Sequence, residues 1–71
     1  MIENKTKALA EKVKQWRKKK ELTQDKLARN ANVPYTTLAK IESGVIKNPS
    51  IETVMKIANG LGITLDQLIY S

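Results

Sequence analysis

Five side chains between residues 35 and 40 carry groups that can contact the edges of DNA bases. They are a phenol, two threonine hydroxyls with their methyl groups, an alanine methyl and an ammonium group, at Tyr35, Thr36, Thr37, Ala39 and Lys40. An ammonium group can donate to guanine O6 or N7, and methyl groups can contact the thymine methyl in the major groove. Leu38 and Ile41 have the spacing of the inner face of a short helix, so the polar set is expected to point outward.

The neighbouring residues predict two short helices joined by a tight turn. Thr23 is a favourable N-cap for the earlier helix, and Asn32 tolerates the left-handed conformation that ends it. The residue before Pro34 is pushed toward extended geometry, so the chain turns there. A second helix then covers about residues 34–43 and is closed by Gly44. This is a helix-turn-helix arrangement, a unit whose second helix can enter the DNA major groove by its N-terminal end.

Three further helices complete the predicted fold, an all-α, compact five-helix bundle. The first begins at Thr6 after a flexible lead-in of residues 1–5, the fourth is capped by Ser50, and a capping box of Thr64 and Gln67 opens the short fifth helix. The residues expected to face the core are Leu9, Val13 and Trp16 in the first helix, Leu27, Ala28 and Ala31 in the second, Ile51, Val54, Met55, Ala58 and Leu61 in the fourth, and Leu65, Leu68 and Ile69 in the fifth.

The composition argues against catalysis and metal binding. The 71 residues, of which 6–71 are predicted to form a single domain, include no Cys and no His. Disulfides and the usual zinc sites are therefore excluded, and no serine has a histidine to activate it. We expect no enzyme activity, no metal and no cofactor. No apolar run approaches the roughly 20 residues of a membrane span and no signal peptide is evident, so a cytoplasmic location is expected.

The positive charge is concentrated near the N-terminus. Lys and Arg total 13 against 7 acids, a net charge of +6, and residues 1–20 hold eight of the bases and two of the acids. The electric field of this positive charge attracts polyanions. Nucleic acid is the first partner expected, and anionic membrane is the second. Lys7, Lys14 and Lys18 form either a solvated face or a phosphate contact. A first helix lying on lipid is disfavoured because the core needs its apolar residues.

An ordered series of motifs resembles the helix-turn-helix domain of the phage Cro and repressor class, the XRE-type, lambda-repressor-like family. The resemblance covers about residues 12–70 and implies a five-helix domain that binds operator double-stranded DNA as a transcriptional regulator, usually as two copies on a pseudo-palindromic site. Its motifs are Thr23-Gln24-Asp25-Lys26-Leu27-Ala28, Val33, Thr37-Leu38, Ile41-Glu42-Ser43-Gly44, Pro49-Ser50-Ile51 and Leu61-Gly62-Ile63.

The resemblance implies roles for residues of the third helix. Tyr35 and Thr36 match the positions that usually read bases. Lys40 follows one turn later as a further base-reading candidate, and the methyl group of Ala39 is another. Thr37 matches a position that more often faces the DNA backbone. For Tyr35, the alternative is a ring folded back over the turn.

The resemblance also implies supporting roles outside the reading positions. Gln24 matches a glutamine that holds a phosphate and can brace a side chain on the recognition helix. Arg17 and Glu42 match an ion pair between the first and third helices. Lys47 and Asn48, aided by backbone N–H groups, are phosphate candidates because the family's common basic residues are missing from this loop.

The sequence departs from the family pattern around the turn and in the next loop. Asn32 stands where the family prefers Gly. Pro34 stands where the cap is often Ser or Thr, and it removes a backbone donor. Val45 and Ile46 place apolar side chains in a loop. They are either a partly buried segment that closes the core or a dimer contact across the two-fold axis of the DNA site.

Other side chains are interpreted by their position in the helical pattern. Trp16 packs in the core or stacks on a base, and its apolar stripe favours the core. Ile69 and Tyr70 pack at the terminus or belong to a homodimer surface. Met55 is expected to fill the core. Arg29 is expected to be solvated rather than bound to phosphate.

Two classes of function therefore remain. The favoured one is sequence-specific double-stranded DNA binding by a prokaryotic or phage-type transcriptional regulator, with a possible homodimer as the bound form. The alternative is a protein-interaction adaptor or antitoxin-like module that uses the same fold.

Overall fold

The computed structural model describes the backbone of residues 4–70 and the side chains of residues 9–70. Within that range the chain forms α1 (Asn4–Lys19), α2 (Gln24–Ala31), α3 (Tyr35–Ser43), α4 (Ile51–Leu61) and α5 (Leu65–Tyr70), which confirms the predicted all-α bundle of five helices. α1 begins two residues before the predicted start at Thr6. The rest of the predicted lead-in, residues 1–3, lies outside the described residues. None of the described helices is long and apolar enough to span a bilayer.

Side-chain caps start three of the helices at their predicted positions. The hydroxyl oxygens of Thr23 and Ser50 each accept a hydrogen bond from the backbone N–H three residues later, at 3.1 and 3.2 Å. At α5, the Gln67 N–H donates to the Thr64 hydroxyl at 3.0 Å, and the Thr64 N–H donates to the Gln67 side-chain oxygen at 2.9 Å. This reciprocal capping box satisfies N–H groups that the helix itself leaves without acceptors.

Left-handed residues end the helices that surround the turn. Asn32 closes α2 with φ 60° and ψ 44°, as predicted, and Gly44 closes α3 with φ 86°. Glu21, between α1 and α2, also has a positive φ of 59°. No residue type signals this conformation, because Glu does not favour it. Backbone hydrogen bonds hold this turn between α1 and α2, including one of 3.0 Å from the Leu22 N–H to the Arg17 carbonyl.

Every helix contributes to one buried apolar core. Among the described side chains, that core consists of Val13, Leu27, Ala28, Ala31, Leu38, Ile41, Val54, Ile57, Ala58, Leu61 and Leu68. The predicted inner faces of α2 and α3 are therefore confirmed. Trp16 is half-buried and packs against this core, which confirms its interpretation as a packing residue.

The predicted inner face of α4 is wrong at two positions. Ile51 is 62% exposed and Met55 is 53% exposed, so Met55 does not fill the core, whereas the unassigned Ile57 is fully buried. The bundle covers the stripe spaced at i, i+3, i+4 and i+7, which is Val54, Ile57, Ala58 and Leu61. Ile51 and Met55 lie to the outer side of that stripe because the neighbouring helices contact α4 from the other direction.

The inner face of α5 is narrower than predicted. Leu68 is buried and Leu65 packs against the core, but Ile69 and Tyr70 are exposed. Terminal packing of Ile69 and Tyr70 is therefore wrong. A helix of six residues turns only one side toward the bundle, and Leu65 and Leu68 occupy it. The backbone carbonyl of Ile69 accepts a hydrogen bond from the Lys12 ammonium group, which joins α5 to α1.

Small residues allow α2 and α4 to pack closely. Ala28 and Ala31 of α2 and Ala58 of α4 are all buried. A Cβ placed on Gly60 would lie 2.7 Å from the backbone nitrogen of Ala31 and 2.8 Å from its Cα. No real Cβ tolerates such contacts. The close separation of the two helices therefore depends on position 60 being a glycine, which has no side chain.

Candidate nucleic-acid interface

α3 rests on the bundle by one side and leaves the other side open. Leu38 and Ile41 are buried, as predicted, and they fix the rotation of the helix about its own axis. The opposite side carries the five candidate contact residues. Tyr35, Thr36 and Lys40 are exposed, and Thr37 and Ala39 are half-buried. The structure thus places all five on α3, with the side chains of Tyr35, Thr36 and Lys40 accessible.

The N-terminal turn of α3 has no side-chain cap. Pro34 occupies the N-cap position with φ −61° and ψ 141°, and no side chain accepts a hydrogen bond from the first turn. The Pro34 carbonyl accepts the Leu38 N–H at 3.1 Å, so the helix starts regularly. The uncapped N–H groups of the first turn carry partial positive charge and are suited to an anion.

A buried polar network ties the other end of α3 to α1 and α2. Arg17 Nε donates to Glu42 Oε2 at 2.8 Å, and Arg17 Nη2 donates to Glu42 Oε1 at 3.1 Å. The Glu42 side chain is only 2% exposed and that of Arg17 is 15% exposed. The ion pair implied by the family resemblance is therefore present. Its two-point geometry compensates for burying a carboxylate.

The same network includes two contacts that extend it to the turn before α2. Gln24 Nε2 donates to Glu42 Oε1 at 3.0 Å, so Gln24 braces a side chain of α3, as the resemblance implies. Arg17 Nη1 donates to the Leu22 carbonyl at 2.9 Å. No residue type signals this last contact, because the acceptor is a backbone group. The Gln24 amide has a second N–H, which leaves one donor for another acceptor.

The loop between α3 and α4 divides into a buried and an exposed part. Ile46 is half-buried against the core, and its N–H donates to the Lys40 carbonyl at 3.0 Å. The interpretation of a loop that closes the core is therefore confirmed for Ile46. It is wrong for Val45, which is largely exposed, because only one of two adjacent side chains can point inward. Lys47 and Asn48, the phosphate candidates, are exposed.

The lysines of α1 occupy several environments. Lys14 is half-buried and lines an open groove of about 490 Å³ between α1 and the end of α3, together with Lys47 and the buried Ile41. Lys18 is exposed, whereas the side chain of Lys7 lies outside the described residues. The ammonium group of Lys19 lies 4.8 Å from the ring centroid of Trp16, which is a cation–π distance.

Arg29 makes a local ion pair on the surface of α2. Its Nη2 atom lies 2.6 Å from Asp25 Oδ2, one helical turn earlier, and both side chains are exposed. The hydrogen bond from Arg29 to Asp25, followed by the attraction between their charges, raises the pKa of Arg29 above its ordinary value. The Arg29 side chain is exposed to solvent, as expected.

The described residues contain no cluster of three or more acidic side chains that could hold a metal ion. No described side-chain nitrogen or oxygen is buried without a hydrogen-bond partner either. On the outer side of α3, Tyr35, Thr36 and Lys40 are exposed polar residues that are open to a ligand.

Comparisons with known proteins place these features in a wider group. The sequence profile of the helix-turn-helix family matches residues 13–68. An uncharacterized HTH-type transcriptional regulator of Rickettsia prowazekii (strain Madrid E) is 41% identical over 70 residues, and one of Rickettsia conorii (strain ATCC VR-613 / Malish 7) is 40% identical over 70 residues. Each match covers 87% of this chain, and they span 75% and 63% of the respective relatives. No solved structure gives a significant match.

The matched region contains everything that positions α3. It begins in α1 before Arg17, includes the turn and Glu42, and ends in α5 at Leu68. The two helices before and after the turn, the left-handed Asn32 between them and the buried pair beneath α3 all lie within it. This chain therefore belongs to the helix-turn-helix family, in its XRE-type branch.

Proposed function

We propose that this chain binds double-stranded DNA sequence-specifically and acts as a transcriptional regulator, with the N-terminal half of α3 in the major groove. One observation carries the proposal: the bundle and the Arg17–Glu42 pair anchor α3, yet Tyr35, Thr36 and Lys40 are accessible on it. An α-helix fits the major groove, and its first two turns reach the base edges when it enters by its N-terminus. Both Rickettsia relatives carry the name of transcriptional regulators.

The proposed base contacts are divided between hydrogen bonds and methyl groups. Lys40 donates to guanine O6 or N7, and the methyl groups of Thr36 and Ala39 contact thymine. Tyr35 lies at the leading end, where its phenol can donate to a base or to a phosphate. Each contact of this kind discriminates against a wrong base pair by about 1–3 kcal/mol.

The proposed phosphate contacts surround the base-reading residues. Thr37 and the uncapped N–H groups of α3 face one strand, and the second N–H of the Gln24 amide is free to donate to a phosphate while the first holds Glu42. Lys47 and Asn48 approach the backbone from the next loop. These contacts position the domain without reading sequence, and the net charge of +6 favours its approach to DNA.

Residues 6–71 are proposed to act as one non-catalytic domain without a metal or cofactor. Genomic DNA as the partner would place that domain in the cytoplasm. A homodimer on a pseudo-palindromic site is the proposed bound form, with half-sites centred about 34–36 Å apart.

The experiment that tests the proposal measures binding to random duplex DNA at a series of salt concentrations. Each phosphate neutralised is expected to add about 0.9 to the negative slope of log K against log salt. A flat response would instead favour the adaptor or antitoxin-like alternative. Selection of bound duplexes from a random pool then reports the sequence preference, and palindromy in the selected sites reports two copies.

A further inference from the structure

Part of α4 is apolar, exposed and without a partner in the bundle. Ile51 and Met55 lie one turn apart on the same side of the helix, and both are more than half exposed. Glu52 and Lys56 follow them, each one position later, so they form a charged flank beside the apolar pair. Within residues 9–70, neither Glu52 nor Lys56 makes an ion pair. We call these four residues the α4 outer face.

We propose that the α4 outer face pairs with the same face of a second copy of this chain, with the two α4 helices antiparallel about a two-fold axis. The proposal rests on the proposed function to the extent that two copies are expected on one DNA site. In a two-fold interface every contact occurs twice, with the partners exchanged. Antiparallel pairing therefore places Ile51 of each copy against Met55 of the other.

The charges of this face are complementary to themselves. When two helices pair about such an axis, the charged flank of one copy meets the charged flank of the other in reversed order. Glu52 of each copy then faces Lys56 of the other, which gives two opposite-charge contacts. In a parallel arrangement the two charged flanks would lie on opposite sides of the interface, so the contacts between Glu52 and Lys56 would be lost.

The distribution of charge over the chain also favours this surface for self-association. Residues 1–20 hold eight bases and two acids, so surfaces built from α1 repel one another. Residues 49–71 hold one base and two acids, so this part of the chain carries almost no net charge. Two copies therefore approach with least repulsion through the elements that include α4.

The size of the face predicts a weak dimer in free solution. α4 has 11 residues and is about 16 Å long at about 1.5 Å per residue. One face of such a helix buries less than the roughly 800 Å² per partner of a standard interface. Pairing is therefore expected to be concentration-dependent in the free chain and to add cooperativity when DNA holds two copies together.

Sedimentation equilibrium of the full chain without DNA, at low salt and over a wide concentration range, tests the pairing. A reversible monomer–dimer equilibrium is expected. Glu52→Lys and Lys56→Glu should each weaken it about five-fold or more by placing like charges together. The double variant Glu52→Lys with Lys56→Glu should restore it. Matched changes elsewhere, Glu11→Lys and Lys26→Glu, should change the dissociation constant less than two-fold.

A second variant addresses the apolar part of the face. Met55→Glu should leave the chain monomeric at every concentration, and circular dichroism melts check that each variant is folded. A wild-type chain that is monomeric throughout would overturn the proposal. So would a dimer that persists in Met55→Glu, or a double charge variant that does not recover pairing.

Binding of the same variants to random duplex DNA separates this proposal from the proposed function. Met55→Glu is expected to keep the wild-type salt dependence, because its position is outside the proposed DNA contacts. If neither the wild type nor Met55→Glu binds DNA while the wild type still dimerises, the proposed function fails and the pairing of α4 stands.

Discussion

Glu42 on α3 and Arg17 on α1 form a buried two-point ion pair, with Nε to Oε2 at 2.8 Å and Nη2 to Oε1 at 3.1 Å. Glu42 lies in the last turn of α3, whereas Tyr35 and Thr36 lie in its first turn. The direction in which the leading end of α3 points is thus set by a contact at its opposite end. Gln24 adds a third hydrogen bond to the same carboxylate, so three helices meet at Glu42.

Loss of Arg17 should cost far more than loss of a surface arginine. Arg17→Met leaves the Glu42 carboxylate buried with only the Gln24 hydrogen bond, and removing one partner of a buried pair costs about 3–5 kcal/mol. Urea denaturation followed by circular dichroism measures the free energy of unfolding. Arg29→Met, which breaks the exposed pair with Asp25, is the matched control and should have little effect.

The double variant Arg17→Met with Glu42→Leu completes this test. Replacing both charges by apolar side chains should recover much of the lost stability, because no unpaired carboxylate is left in the interior. Equal stability of Arg17→Met and Arg29→Met would contradict the role assigned to the pair.

Gly60→Ala should destabilise the protein even though alanine is the better helix former. The substitution gains about 1 kcal/mol of helix propensity. It also places a Cβ within 2.8 Å of the Ala31 backbone, so α2 and α4 must move apart and core packing is lost. Thermal melts should therefore show a lower Tm. Asn59→Ala, at the exposed neighbouring position, is expected to raise the Tm slightly or leave it unchanged, and a rise in Gly60→Ala would disprove the close packing.

Truncation of Ile57 should cost far more stability than truncation of Met55. Ile57→Ala removes a fully buried side chain and should cost about 2–5 kcal/mol through lost burial and the cavity left behind. Met55→Ala, on the exposed side of the same helix, should change the free energy of unfolding by less than about 0.5 kcal/mol in dilute protein. Denaturation curves of both variants decide between this core and the one predicted from the sequence.

Lys40 and Lys47 should separate base recognition from backbone recognition. Lys40→Ala should lose about 1–3 kcal/mol at one selected base pair and relax the preference there. Lys47→Ala should weaken binding to all sequences alike and reduce the salt slope by about one. Competition binding with selected and single-substituted duplexes measures both effects. Lys20→Ala is the control, because it removes the same charge from the turn before α2. A specificity profile unchanged by Lys40→Ala would show that Lys40 does not read bases.

The helix ends were predictable because their signals are local. Thr23, Ser50 and the Thr64 capping box act on N–H groups within three residues, and Asn32 acts through its own backbone conformation. The same holds for the inner side of α3, where the spacing of Leu38 and Ile41 leaves one rotation of the helix. The ion pair of Arg17 was expected from the family resemblance, since 25 residues of sequence separate it from its partner.

The pattern of amino acids was enough to predict a bundle of short helices around a turn, and to predict which side of α3 faces outward. The packing of the bundle settled which apolar residues of α4 are buried, because Ile51, Met55 and Ile57 are all apolar and the choice depends on where α2 lies. It also decided that Gly60 is a packing contact and that Glu42 joins three helices. These contacts join residues that are distant in sequence, so no local sequence pattern predicts them.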